Sequence, residues 1–92
     1  MARVVITVKI MPISPEIDFE ELQKKSKKII SDFTENEDTK TETESIGFGL
    51  TALKIIFVMD EEKGSPDPVA EKISKLEDVN SADITDVRRA LG

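Results

Sequence analysis

The stretch that most constrains this chain is Ile46-Gly47-Phe48-Gly49-Leu50, set between a run of alternating polar residues and the apolar run from Ala52 to Met59. Paired glycines open turn conformations closed to other residues, so the two flanking runs are expected to fold against each other as a hairpin. Thr39-Lys40-Thr41-Glu42-Thr43-Glu44-Ser45-Ile46 alternates hydroxyl and charged side chains. It has β propensity but little apolar surface to bury, which suits a sheet edge where charge discourages pairing with other chains. After the turn, Leu53, Ile55, Phe57 and Met59 share one face, and Ala52, Lys54, Ile56 and Val58 share the other. That pattern is expected of a central strand with its richer face toward helices. A core phenylalanine rarely needs glycine on both sides, so Phe48 is expected to point outward. The alternative is a hairpin turn whose ring folds back onto the sheet.

The remaining segments follow from local rules. Val4, Ile6, Val8 and Ile10 alternate with Arg3, Val5, Thr7 and Lys9, as in an interior strand with β-branched residues on both faces. Met11-Pro12-Ile13-Ser14-Pro15 is expected to stop it, because proline donates no ladder hydrogen bond. Asp18, with Glu21 three residues on and Ile17 and Leu22 around them, marks a helix start. Leu22, Ser26, Ile29, Ile30 and Phe33 form its inner stripe, while Lys24, Lys25, Lys27 and Lys28 read as a solvated face. An acidic loop over 34–38 leads into the polar strand. Beyond Met59, a polar turn offers Ser65 or Asp67 as cap for a second helix striped by Val69, Ile73 and Leu76 and ending near Glu77-Asp78. A last strand runs from about Ser81 to Arg89. Its apolar parity changes between Ala82 and Ile84 on one side and Thr85, Val87 and Arg89 on the other, which suggests a bulge.

The order βαββαβ predicts an α+β, ferredoxin-like fold: one domain over residues 1–92, a four-stranded antiparallel sheet in the order 4-1-3-2, and both helices on one face. That fold hosts many functions, so the residues must discriminate. The chain has no cysteine and no histidine, which removes thiol nucleophiles, zinc fingers and the usual acid-base group near neutrality. A metal carrier would want a Cys-x-x-Cys loop where Met11-Pro12-Ile13-Ser14 stands, and an acylphosphatase-like enzyme would want an arginine in that loop. A net charge of −6 without Trp or Tyr argues against nucleic acid as direct ligand and favours a basic protein surface. No run reaches the roughly 18 apolar residues of a membrane span, and the first strand begins almost at once, so a cytoplasmic location is expected. No cofactor or metal site is expected. A ligand-sensing or protein-interaction module remains open beside any more specific reading.

Several stretches carry a resemblance. Val4-Val5-Ile6-Thr7-Val8-Lys9-Ile10-Met11-Pro12, Ile46-Gly47-Phe48-Gly49-Leu50, Ala52-Leu53-Lys54-Ile55-Ile56-Phe57-Val58 and Thr85-Asp86-Val87-Arg88-Arg89 are similar to the archaeal translation elongation factor 1-beta family, across the whole chain. The Gly-Phe-Gly-Leu turn running into an alternating apolar strand is the most specific piece. The resemblance implies guanine-nucleotide exchange on the GTPase elongation factor 1-alpha, without covalent chemistry, with GDP and GTP bound to that partner. It implies that Phe48, presented by Gly47 and Gly49, wedges into an apolar pocket of the GTPase. It also implies that a basic residue near the C-terminus reaches the magnesium and phosphate region, best aligned with Arg89 and one step from Arg88. Eukaryotic members use lysine there, and arginine's planar fork is better suited to a carboxylate. The two arginines could alternatively serve solvation and charge balance at an edge strand. In this reading ring and charge are presented together on one side of the molecule, and guanidinium groups on the opposite side from the ring would leave that joint mechanism without an instrument.

Overall fold

The computed structural model describes residues 3–35 and 38–90. Its elements are β1 (Arg3–Pro12), α1 (Phe19–Thr34), β2 (Thr39–Gly47), β3 (Leu50–Asp60), a 3-10 turn (Glu61–Lys63), α2 (Asp67–Ser74) and β4 (Val79–Ala90). The strands form one antiparallel sheet in the order β2-β3-β1-β4, as expected for the ferredoxin-like arrangement. β1 and β3 run side by side from Arg3↔Asp60 to Ile10↔Leu53, which aligns their apolar parities. Ile6, Val8 and Ile10 therefore share a face with Leu53, Ile55, Phe57 and Met59, and there they meet Leu22 and Ile30 of α1 and Val69 and Ile73 of α2 in one buried cluster.

The helix starts obey local chemistry. Asp18 caps α1, its carboxylate accepting from the backbone N–H groups of Glu20 at 3.0 Å and Glu21 at 3.3 Å. Ser26 lies fully buried in the inner stripe, its hydroxyl without a hydrogen-bond partner. At α2 the cap position is Pro66, while the Ser65 hydroxyl accepts from the Asp67 N–H at 3.1 Å.

Three boundaries differ from expectation, all at one junction. α2 ends at Ser74 rather than near Glu77-Asp78, because the N–H groups of Lys75 and Leu76 bond three residues back, to Lys72 and Ile73, and tighten the last turn. This frees Val79, 6% exposed, to start β4 two residues before Ser81. β1 in turn continues to Pro12, which pairs with Val79 across a register shift, a place where a missing N–H is tolerated. The expected bulge in β4 is present: Thr7 faces Asp86 and Val8 faces Ile84, leaving Thr85 as the extra residue.

On the face away from the helices, Lys9 and Lys54 stand directly opposite each other, an arrangement that repels unless bridged. Glu44 of β2 bridges it, at 3.1 Å from Lys9 and 2.6 Å from Lys54. The Lys54 hydrogen bond, then that of Lys9, holds the Glu44 carboxyl below its ordinary value of 4.5, and the Glu44 hydrogen bond raises the Lys54 ammonium above 10.5. A lowered carboxyl stabilises the fold above its unfolded value and loses that contribution as pH falls through the folded one. A raised ammonium stabilises below its unfolded value and loses that as pH climbs past the folded one. Glu44→Gln is therefore expected to melt below wild type between these limits, with the gap closing as pH falls below 4.5 and through the lowered folded value. Melting curves of both proteins across pH check this; a gap that persists in acid would contradict it.

Candidate functional site

The hairpin between β2 and β3 takes the conformation its glycines allow. Gly47 pairs with Leu50, so Phe48 and Gly49 form a two-residue loop. The φ angles are +92° at Gly47, +54° at Phe48 and +76° at Gly49. Positive φ at both loop residues is the mark of a type I′ turn, whose twist matches that of the strands. For phenylalanine the left-handed region costs about 1–2 kcal/mol. The ring recovers nothing from the fold in exchange: Phe48 is 102% exposed, as open as in an extended chain. Of the two orientations open at the sequence level, the outward one is found.

The C-terminal arginines lie elsewhere. Arg89 faces Val4 of β1, which faces Met59 of β3, so Arg89 is level with the far end of the strand that Phe48 precedes. From Leu50 to Met59, at roughly 3.3 Å per residue, the hairpin and Arg89 are separated by about 30 Å, in a molecule 42 Å long. The expectation that ring and charge share one side is thus corrected. They stand at opposite ends of the sheet, because β2-β3 turns at one end and β4 finishes at the other.

The Thr85 bulge decides which arginine points where. Ala82 and Ile84 oppose Ile10 and Val8 on the helix-bearing face, whereas beyond the bulge Val87 and Arg89 oppose Ile6 and Val4 there. Arg88, opposite Val5, is on the other face. Without the extra residue the two arginines would exchange faces. Each has an acidic partner: the Arg88 Nε lies 2.9 Å from an Asp86 carboxylate oxygen, and the Arg89 Nη2 donates to the Glu61 Oε1 at 2.5 Å. Glu61 opens the 3-10 turn, whose start is capped by the Asp60 carboxylate accepting from the Glu62 N–H at 2.9 Å. Val87, 55% exposed, precedes Arg89 on the same face.

Sequence reasoning missed two residues of this layout. Ile13 is 57% exposed and follows β1 at the hairpin end, its N–H donating to the Asp78 carbonyl at 3.0 Å. An apolar residue between two prolines was the available signal. Glu61 pairs with Arg89 across 28 residues, and no local pattern announces it. A cleft of about 440 Å³ near the Arg89 end is lined by Arg3, Glu35, Asp38, Asp60 and Lys63 among others, a mixed-sign lining ill suited to holding a nucleotide's phosphates. Among the described residues no three His, Cys, Asp or Glu side chains gather as a metal site, and no helix is long and apolar enough to cross a membrane.

Comparison with known families decides the kinship. Residues 5–90 match the EF-1 guanine nucleotide exchange domain. The chain belongs to that family. Elongation factor 1-beta of Methanobrevibacter smithii is 42% identical over 91 residues, taking in 99% of this chain and 100% of that protein. Elongation factor 1-beta of Methanosphaera stadtmanae is 38% identical over the same length, and that of Pyrococcus horikoshii 41% identical over 83 residues, 89% of each chain. The span matched by the exchange domain contains both the Phe48 hairpin and the Arg88-Arg89 end.

Proposed function

We propose that this chain is a translation elongation factor, a single exchange domain that promotes replacement of GDP by GTP on the GTPase elongation factor 1-alpha in the cytoplasm. It holds its partner at two separated points: Phe48 enters an apolar pocket, and Arg89 reaches toward the phosphate and magnesium region some 30 Å away along the strands. The observation that carries this reading is the Phe48 ring, wholly exposed at a turn position whose left-handed backbone disfavours any non-glycine residue, so that nothing in the fold calls for phenylalanine there.

Magnesium tethers GDP through phosphate oxygens, so a cation advancing toward its site weakens the metal by repulsion and compensates the acidic groups left behind. Arginine's fork suits the second task in particular, pairing with a carboxylate that had faced the metal. The ring contributes by binding the GTPase conformation that holds nucleotide poorly, and linkage requires nucleotide to weaken the ring's binding equally. No covalent step is involved, this chain binds no cofactor, and the excess of GTP over GDP sets the direction of exchange.

The test is release of fluorescent GDP from the cognate GTPase. Micromolar amounts of the protein should accelerate it, and absence of acceleration would sink the proposal. Arg89→Ala is expected to slow stimulated release roughly ten-fold with unchanged melting, since Arg89 is exposed and its ion pair with Glu61 is at the surface. Arg88→Ala, on the opposite face, should have a smaller effect.

A further inference from the structure

Arg89 is not a free cation in this structure, and that bears on how the exchange reaction is controlled. Its guanidinium donates to Glu61, a residue on the 3-10 turn that Asp60 caps. Arg88 is engaged on the other face by Asp86. We infer that Glu61 masks Arg89: it is an internal counter-ion that Arg89 must leave before it can engage the phosphate and magnesium region of its partner. The inference rests on the exchange reading above, and makes Glu61 a residue that acts through Arg89 and not on the nucleotide itself.

The geometry favours masking over simple anchoring. Both side chains remain open to water, 64% and 43% exposed, so the pair is of the weak, breakable kind. The Glu61 carboxylate holds the guanidinium through Nη2, and its charge competes for that cation with any phosphate or acidic metal ligand of the partner. Left in place as the ends approach, Glu61 would also bring negative charge against phosphate oxygens, which repels. Departure of Arg89 from Glu61 is therefore part of docking. In the free protein the Glu61 charge offsets that of Arg89 and weakens its pull on stray anions.

The prediction separates masking from positioning. Glu61→Gln keeps the shape and removes the charge, and it should raise the apparent second-order rate constant for stimulated GDP release about two- to five-fold at low salt. The gain should shrink as salt rises from about 0.05 M to 0.5 M, because the pair it relieves is itself screened. Glu62→Gln makes the same change in net charge without touching Arg89 and should give no such gain. In an Arg89→Ala background the Glu61 substitution should have no effect, the coupling that a double-mutant cycle reads. Equal or slower exchange by Glu61→Gln overturns masking, as does an equal gain from Glu62→Gln. If Arg89→Ala exchanges as fast as wild type, it is the underlying reading of Arg89 that fails.

Discussion

Phe48→Ala is expected to reduce stimulated GDP release, and binding to the GTPase, by about 30-fold or more while leaving the melting temperature within a degree or two of wild type. The magnitude is that of an interface anchor. If the ring enters an apolar pocket as proposed, it buries a large aromatic surface there, and truncation to alanine removes nearly all of it. The absence of a stability effect follows from the free structure: the ring is 102% exposed, so its removal empties no space in the core. The strained φ of +54° is also shared by alanine, so backbone energy does not intervene. Isothermal binding, exchange kinetics and thermal melting together check the claim. A large drop in melting temperature, or undiminished exchange, would contradict it.

Phe57→Ala, nine positions along the same hairpin, should do the reverse. Phe57 is 1% exposed, at the centre of the sheet between Ile6 of β1 and Thr39 of β2, and covered by the helices. Losing a buried phenylalanine costs about 3–5 kcal/mol, the transfer energy of the ring plus the cavity it leaves. A domain of this size has only about 5–15 kcal/mol in total, so the melting temperature should fall on the order of 20 °C. The variant that remains folded in the cold should still stimulate exchange at close to the normal rate, since the Phe48 turn and the Arg89 end are untouched. Denaturant melts and exchange assays at low temperature provide the measurement. A loss below about 1 kcal/mol would mean that the core closes around the gap far better than such cores do.

These two phenylalanines show how unevenly the chain could be read. Phe57 belongs to an alternating run, and its burial follows from the period of a strand. Phe48 is marked by its neighbours: glycine on both sides announced the turn, while the choice between an outward ring and one folded back awaited the coordinates. The α1 start at Asp18 and the bulge near Thr85 were legible for the same local reason, a capping carboxylate in one case and a break in parity in the other. The α2 end was misplaced because Leu76 continues the apolar stripe, although the chain there is already tightening into the connection to Val79.

Periodicity, capping and turn chemistry act over a few residues, so the sequence by itself determined the strands and helices, their order, the sheet edge at β2, the ferredoxin-like arrangement and the ring at the hairpin tip. What only the tertiary structure decided depends on pairings between residues far apart in the chain. The register of β1 against β3 and β4 sends Phe48 and Arg89 to opposite ends, and one extra residue at Thr85 assigns Arg89 to the helix-bearing face and Arg88 to the other. The seating of Arg89 on Glu61 follows from that assignment. A side chain's face along a strand is local information, but which end and which partner it meets is set by the whole sheet, because register is a sum over every pair in the ladder.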